Sequence, residues 1–329
     1  MALLELDGLT THYVSARGTR VVRAVEDVSL KLEAGETLGV VGESGSGKTT
    51  LALTIMRLLP PAARIVSGRM TFEGEDLLAK SPGEMRRVRG KRIAMILQDP
   101  MASLNPLFTV GDQVAEPVRV HDRATRRGAW AKARELLRAV KIPAPEARVR
   151  EYPHQMSGGM RQRIVGAIGI SCSPRLLIAD EPTTSLDVTI QAQYLNLLRD
   201  LQKAHGLALV FITHNLGIVA KMCDQVAVMY AGQIAEIGPV GKIFDDPVHP
   251  YTRALLESIP RLSDNTRRLQ AIDGQPPDLA ALPGGCAFHP RCGKAMDRCR
   301  AEAPPAFAVN GAHVARCWLG GPATRGESR

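Results

Sequence analysis

Residues 37–59 read TLGVVGESGSGKTTLALTIMRLL, and this stretch decides the fold. Its first six residues form a short apolar run that ends in glycine, which indicates a buried strand. The run TTLALTIMRLL (49–59) has the pattern of a helix, and the Gly/Ser-rich segment GESGSGKT (42–49) connects the two. A strand, a glycine loop and a helix in this order predict an α/β fold.

The connecting segment matches the pattern G-x-x-x-x-G-K-[ST] of a phosphate-binding loop. Its glycines let consecutive backbone N–H groups converge on phosphate oxygens, and the N-terminus of the following helix adds a favourable dipole. We expect Lys48 to reach the β- and γ-phosphates and the Thr49 hydroxyl to bind Mg²⁺. The residues predicted to contact the nucleotide are Gly42, Ser44, Gly45, Ser46, Gly47, Lys48, Thr49 and Thr50.

A second run, LLIADEPT (176–183), is typical of a buried parallel strand that ends in two carboxylates. Ligands collect at the C-terminal ends of such strands, so Asp180 is predicted to hold Mg²⁺, directly or through water. Glu181 points differently and could orient or deprotonate a water molecule. The alternative for this segment is an ordinary turn at the end of a strand.

The remaining sequence continues the α/β pattern and then changes. Residues 1–35 and 66–97 predict further strands, and residues of about 105–165 predict helices. Strands are also predicted within 207–214 and 225–238, and a helix over 188–205 is predicted to end at Gly206. Prolines and cysteines cluster after residue 260, which predicts a larger domain over 1–260 and a short extension over 261–329 with a disordered end.

Composition limits the class of protein. The chain is 45% hydrophobic and 23% charged, which predicts a soluble globular protein, and it has no apolar run of the ~18 residues that suggest a membrane span. The start of the chain does not resemble a signal peptide, so a cytosolic protein is expected. The net charge of +9 suits nucleic acid, an anionic membrane surface or an acidic partner. Aromatic residues make up only 4%, which is few for a protein that stacks single-stranded bases.

Four cysteines occur after residue 285, in the pattern C-x5-C-x6-C-x17-C: Cys286, Cys292, Cys299 and Cys317. Disulfides are rare in the cytosol, so this cluster favours a metal site, whereas Cys172 and Cys223 lie in apolar sequence and are predicted to be small core residues. The spacing matches neither the close cysteine pairs of zinc sites nor the ferredoxin patterns. Zinc, an iron–sulfur cluster and free thiols therefore remain open from the spacing alone.

A third motif, SGGMRQR (157–163), completes a family pattern. Together with the phosphate loop and LLIADEPT, it resembles the nucleotide-binding subunit of an ATP-binding-cassette (ABC) transporter. The segments TTSLDVTIQAQ (183–193), HPYTRALL (249–256) and GCAFHPRC-x6-C (285–299) resemble the subfamily that energises dipeptide and oligopeptide importers, with nickel uptake systems among its relatives. The resemblance implies an ABC-type P-loop NTPase core, with an antiparallel β subdomain, a helical subdomain at about 105–165, and a short Cys-rich extension.

The resemblance also implies roles for individual residues. Tyr13 would stack on adenine, Gln98 would contact Mg²⁺ and the attacking water, and His214 would bond the γ-phosphate. Ser157, Gly158 and Gly159 would grip ATP held by the opposite subunit, and Asp187 would lie in the loop that crosses the subunit interface. The catalytic set is then Lys48, Gln98, Glu181 and His214. The alternatives are a core strand residue for Tyr13, a polar turn for Gln98, and helix N-caps for Ser157 and Asp187.

Two positions depart from the wider superfamily pattern. Met160 stands where glutamine is common, although this subfamily often has methionine there. Asn215 stands where aspartate usually follows the histidine, which is expected to weaken a local contact without removing a catalytic group.

The implied cofactors are ATP and Mg²⁺. For the four cysteines the resemblance favours a 4Fe–4S cluster, with zinc as the alternative, in which case His289 could replace one thiolate. The implied partners are a second ABC ATPase subunit that is a paralogue, two transmembrane permease subunits and, indirectly, an external solute-binding protein, with the chain peripheral on the cytoplasmic face of the membrane. The alternative function is that of a soluble ABC ATPase acting on nucleic acid, which the charge would suit. A single cassette argues against that alternative, and no nucleic-acid partner is expected.

Overall fold

The computed structural model describes residues 2–16, 18–184, 186–259 and 272–321, with only the backbone described at Pro100 and Met101. The predicted domain boundary near Pro260 and most of the predicted disordered end lie outside these residues. The described chain divides into two compact units. Unit 1 comprises residues 32–36 and 75–212, and unit 2 comprises residues 2–31, 37–74 and those after 212.

The described strands are β1 (Leu4–Val14), β2 (Val21–Leu32), β3 (Thr37–Val41), β4 (Ala63–Phe72), β5 (Glu75–Asp76), β6 (Ile93–Ile96), β7 (Leu176–Asp180), β8 (Ala208–Ile212), β9 (Gln225–Tyr230), β10 (Gln233–Pro239), β11 (Phe307–Asn310) and β12 (His313–Ala315). The described α-helices are α1 (Lys48–Ile55), α2 (Pro82–Val88), α3 (Pro100–Ser103), α4 (Val110–His121), α5 (Arg126–Ala139), α6 (Pro145–Arg148), α7 (Gly158–Ile170), α8 (Val188–His205), α9 (Leu216–Met222), α10 (Val240–Asp245), α11 (Pro250–Glu257) and α12 (Asp297–Ala301).

Unit 1 is built on a parallel sheet in the order β6-β7-β8. Every residue of β7 and β8 is buried, as expected for the continuous apolar runs of parallel strands. Helices α4, α5 and α7 pack on one another, which agrees with the helical region predicted from the sequence. Helix α5 buries one face, including Leu136 and Leu137.

Unit 2 contains the phosphate loop and the C-terminal part of the chain. In one sheet, β1 lies between β2 and β4 and is antiparallel to β4. In the other, β3 is parallel to β9, and β9, β10, β12 and β11 follow in antiparallel pairs. The C-terminal strands β11 and β12 therefore extend the sheet to which β3, the strand before the phosphate loop, belongs.

A buried carboxylate anchors the C-terminal part of the chain to β10. Glu236 lies 2.7 Å from the imidazole Nε2 of His313, and it accepts the backbone N–H groups of Val248 at 2.7 Å and His249 at 3.0 Å. Burial alone would raise the pKa of Glu236, but hydrogen bonds from His313 and the two backbone groups outweigh it and leave the pKa below its ordinary value. The carboxylate therefore stays ionised and fixes the start of α11 against β10.

The sequence prediction missed several elements, namely α2, α3, α9, α10, α11, α12, β11 and β12, and two of them show the reason. The region 66–97, predicted as β, contains α2. Its N-cap, Ser81, forms a reciprocal capping box with Glu84. Helix α9 was not predicted, and its N-cap is Asn215. Both helices have seven residues, so neither is long enough for a clear 3.6-residue periodicity. Among the described residues, no helix combines the length and apolar character needed to cross a bilayer.

Candidate functional site

The phosphate loop leaves no room for side chains at two of its glycines. Gly42 has φ 151° and Gly47 has φ 102°. A Cβ at Gly42 would lie 2.2 Å from the carbonyl oxygen of Met229, and one at Gly47 would lie 2.1 Å from the carbonyl oxygen of Ala24. The loop therefore has its shape because glycine tolerates these backbone angles and these close approaches.

Lys48 is buried and held by the loop itself. Its Nζ donates to the carbonyl oxygens of Gly42 at 2.9 Å and Glu43 at 2.8 Å, and to the Ser46 hydroxyl at 3.3 Å. These three partners belong to the loop, so the shape of the loop helps to fix the position of the ammonium group. The role of Lys48 in phosphate binding stays a prediction from the sequence motif.

Tyr13 lies beside the helix that follows the loop. Its hydroxyl is 3.4 Å from the Thr50 hydroxyl, and one turn further Thr11 and Thr54 are hydrogen-bonded at 3.1 Å. Tyr13 is half-buried, so it is not a residue of the closed core. Its contact with Thr50 places Tyr13 beside α1, and its role in stacking on adenine stays a prediction.

His214 follows β8 and is exposed. The preceding residue, Thr213, donates its N–H to the Val40 carbonyl of β3 at 3.2 Å. The following residue, Asn215, caps α9 by accepting the N–H of Ile218 at 3.2 Å. Asparagine is as good an N-cap as aspartate, so the start of α9 does not depend on aspartate at this position.

In unit 1, the predicted carboxylates lie at the end of β7. Asp180 is 2% exposed, and Glu181 follows with a left-handed φ of 45°. Glu181 Oε2 accepts from Gln98 Nε2 at 3.3 Å and from the Thr184 hydroxyl at 2.9 Å. Gln98 and Glu181, both predicted to act on the attacking water, are therefore brought together. A left-handed backbone at a non-glycine residue stores strain, which is typical of functional positions.

The N-termini of α7 and α8 lie against each other. Ser157 caps α7 by accepting the N–H of Met160 at 3.3 Å, and Asp187 caps α8 by accepting the N–H of Ile190 at 2.9 Å. A Cβ at Gly159 would lie 2.8 Å from Ile190 Cγ2, so glycine permits this close packing. Both predicted N-caps are confirmed, and the capping residues are exposed.

The four C-terminal cysteines line one pocket, together with His289 and others. Burial raises the pKa of the Cys286 and Cys292 thiols and raises that of Cys317 to about 12, which favours neutral thiols at pH 7. Among the described residues, no group of three or more His, Cys, Asp or Glu side chains has the arrangement needed to hold a metal ion. The thiols thus converge on one place, but they do not form a coordination site there.

Two residues beside the loop, Arg291 and Tyr251, and one within it, Glu43, were not in the predicted set. The Arg291 guanidinium donates to both carboxylate oxygens of Glu43, at 2.7 and 3.0 Å, and the Glu43 N–H donates to the Tyr251 hydroxyl at 2.9 Å. Glu43 occupies an unspecified position of the phosphate-loop motif, and Tyr251 and Arg291 lie in motifs that were used for family resemblance alone.

Comparison with known proteins identifies the family. Residues 25–184 match the ABC transporter family, and residues 235–299 match the C-terminal region of oligopeptide/dipeptide transporters. The chain is 50% identical over 319 residues to the oligopeptide transport ATP-binding protein OppD of Bacillus subtilis, covering 96% of this chain and 88% of that protein. It is 48% identical over 318 residues to the dipeptide transport ATP-binding protein DppD of the same organism, covering 96% and 94%.

A solved structure supports the fold. A dimeric ATP-binding cassette in a post-hydrolysis state, bound to ADP and Pi, has a TM-score of 0.64 with 24% identity and covers 72% of this chain and 98% of its own. The fold is therefore that of an ABC ATPase, with mixed α/β sheets and helices. Because about half of its residues are shared with transport ATP-binding proteins along nearly its whole length, this chain belongs to the ATPases of the ABC transporter family.

Proposed function

We propose that this chain hydrolyses ATP to power the import of dipeptides or oligopeptides through a separate membrane permease. The observation that carries the peptide assignment is the match of residues 235–299 to the C-terminal region of oligopeptide/dipeptide transporters. Relatives named for oligopeptide and dipeptide transport support it, because they match nearly all of this chain. In this proposal residues 1–260 form the ATPase domain, with a helical subdomain at about 105–165, and residues 261–329 form an extension.

The phosphate loop would bind the triphosphate. Lys48 would reach the β- and γ-phosphates, and Thr49 and Asp180 would supply oxygen ligands for Mg²⁺, with Gln98 as a further one. Hydroxyl, carboxylate and amide oxygens are the donors that Mg²⁺ prefers, so the residues fit the ion. When bound, Mg²⁺ would neutralise charge on the β- and γ-phosphate oxygens. Tyr13 would stack on the adenine ring.

Glu181 would take the proton of the attacking water, which Gln98 orients, and His214 would bond the γ-phosphate. Phosphoryl transfer to water depends mainly on such positioning and charge neutralisation. The contact between Gln98 and Glu181 supports this assignment because it brings both polar groups to one point. The strained backbone of Glu181 supports it as well.

A second ATPase subunit would complete each site. Ser157, Gly158 and Gly159 stand at the exposed N-terminus of α7, where N–H groups and a hydroxyl are available to an anionic group of another chain. Asp187 would lie in the same interface. The partners would be a paralogous ATPase, two permease subunits and a solute-binding protein, with this chain peripheral on the cytoplasmic face of the membrane.

The experiment is to purify the chain with candidate permease subunits and a second ABC ATPase from the same genome and to reconstitute them in liposomes with a solute-binding protein. We expect ATP-dependent uptake of a labelled dipeptide or tetrapeptide, and loss of uptake in Lys48→Ala. The relatives reported above are named for transport, and none is named for nucleic-acid binding. Hydrolysis stimulated by DNA in a salt-dependent way, without peptide uptake, would instead establish the nucleic-acid alternative.

We also propose that the four C-terminal cysteines bind a metal centre, with a 4Fe–4S cluster favoured over zinc. Support comes from the convergence of four thiols on one pocket in a segment too small to form a core of its own. Because the thiols do not form a coordination site, their side chains would have to reorient and lose their protons on binding. A metal centre would then stabilise this segment.

Anaerobic purification is expected to give a coloured protein with about four iron atoms per chain, the stoichiometry of a 4Fe–4S centre held by four thiolates. Visible absorption and an iron assay measure this, and Cys292→Ser is expected to lose the colour. Cys172→Ser, at a buried cysteine in unit 1, is the matched control and is expected to keep it. A colourless protein with one zinc ion would exclude the cluster, and a protein without metal would exclude both centres.

A further inference from the structure

Glu43, the second residue of the phosphate loop, is held from two sides by the C-terminal part of the chain. Its N–H donates to the Tyr251 hydroxyl at 2.9 Å, and its carboxylate accepts both terminal nitrogens of Arg291 at 2.7 and 3.0 Å. Tyr251 belongs to the segment HPYTRALL, and Arg291 belongs to GCAFHPRC. Both motifs therefore meet at one residue of the loop.

Arg291 is held in place by contacts with residues other than Glu43. Its side chain is 4% exposed, its Nε donates to the Asp273 carbonyl at 2.9 Å, and its Nη1 lies 3.3 Å from the Tyr230 hydroxyl. The guanidinium carbon lies 5.8 Å from the centre of the Tyr230 ring and 5.9 Å from that of Phe288. These contacts hold the guanidinium in a fixed orientation. It therefore donates two hydrogen bonds to Glu43 from a rigid position.

Tyr251 is equally fixed. It is fully buried, and its ring packs 4.5 Å from Tyr230 and 5.3 Å from Phe288, centre to centre. The start of its helix, α11, is anchored by Glu236, as described above. The hydroxyl that accepts the Glu43 N–H is thus part of a packed aromatic cluster and not of a mobile surface.

Glu43 connects these contacts to the phosphate-binding lysine. Its carbonyl oxygen accepts Lys48 Nζ at 2.8 Å and the Ser46 N–H at 3.2 Å. A shift of Glu43 would therefore shift the carbonyl that holds the ammonium group. An acidic side chain in this loop would also repel an incoming triphosphate unless a cation compensates its charge.

On these contacts we infer that Arg291 is a positioning residue for the phosphate loop, through which the C-terminal extension sets the affinity of the chain for ATP. Arg291 both fixes Glu43 and neutralises its charge. This inference rests on the proposed role of residues 42–50 in binding phosphate. It assigns the extension a task in the nucleotide site of its own chain.

The test is ATP binding by the full-length chain, measured by calorimetry. Arg291→Ala is expected to raise the Kd about tenfold, which equals about 1.4 kcal/mol, and the effect should shrink at high salt because repulsion is screened. Glu43→Gln alone is expected to change Kd less than about threefold, because the amide oxygen can still accept a hydrogen bond from Arg291 and no unpaired anion is left beside the phosphates. The double variant is expected to recover most of the lost affinity, since the unpaired carboxylate is gone.

Arg316→Ala is the matched control. Arg316 also ties the C-terminal part of the chain to its N-terminal strands, through Asp27 at 2.6 Å, but it does not contact the loop. We expect its Kd to stay that of the wild type. A merely structural role for Arg291 would lower the melting temperature without rescue of Kd by Glu43→Gln.

Two further results separate the possible failures. If Arg291→Ala does not fold, Arg291→Lys is used instead, because it keeps the positive charge but cannot make both hydrogen bonds to Glu43. An unchanged Kd in that variant would contradict the inference. An unchanged Kd in Arg291→Ala, or a double variant weaker than either single one, would also overturn it. If Lys48→Ala binds ATP normally, the proposed role of the loop itself is wrong.

Discussion

Glu181→Gln is expected to abolish ATP hydrolysis while ATP binding remains. The amide keeps the size of the side chain and its capacity to accept hydrogen bonds from Gln98 and Thr184, but it cannot take a proton. General-base catalysis contributes roughly 10²–10⁴-fold, so the rate should fall by at least about a hundredfold. Initial rates and the Kd for ATP are measured on the same preparation of the chain together with the second ATPase subunit that completes the site.

The matched control for this substitution is Asp200→Asn. Asp200 lies in the same unit, on α8, and its carboxylate is exposed and 3.3 Å from Lys141 Nζ. It removes one carboxylate charge at a surface pair, where such pairs contribute little, so the hydrolysis rate should not change. Undiminished hydrolysis in Glu181→Gln would exclude Glu181 as the base.

Sequence patterns correctly predicted the features that depend only on residues close together in the chain. The phosphate loop was predicted because its glycines and its lysine lie close together in the sequence. The structure shows that backbone angles and close approaches require glycine at two of these positions. The N-caps Ser157 and Asp187 and the C-cap Gly206 were predicted for the same reason, and Gly206 has the left-handed φ of 60° that favours glycine there.

Long-range pairing could not be predicted in the same way. Glu43 and Arg291 are 248 residues apart, and neither has a local pattern that indicates the other. Arginine beside cysteine was noted only as part of a family motif, and its contact depends on how β9, β10 and α11 place the aromatic cluster. The cysteines show a different limit of sequence patterns. Their side chains line one pocket, but among the described residues this does not by itself create the geometry of a metal site.

Gly47→Ala is expected to abolish ATP binding with little effect on the rest of the fold. The new Cβ would lie 2.1 Å from the Ala24 carbonyl oxygen, and φ 102° is strained for any L side chain. Backbone of a neighbouring strand cannot yield as a flexible side chain does, so the loop must move. Strain at such a position costs about 1–3 kcal/mol, and loss of converging N–H groups adds to it, so we expect binding at least about a hundredfold weaker.

Two other glycines separate the causes of this effect. Gly45 has φ 79° with open space around it, so Gly45→Ala introduces strain without a clash and should weaken binding less. Gly83 lies in α2 with open space and no left-handed φ, so Gly83→Ala should leave Kd unchanged, because alanine favours a helix. Calorimetry gives Kd and a thermal melt reports the fold. If Gly47→Ala bound ATP within a few-fold of the wild type, the phosphate would not depend on the converging N–H groups of this loop, and the nucleotide would have to be held elsewhere.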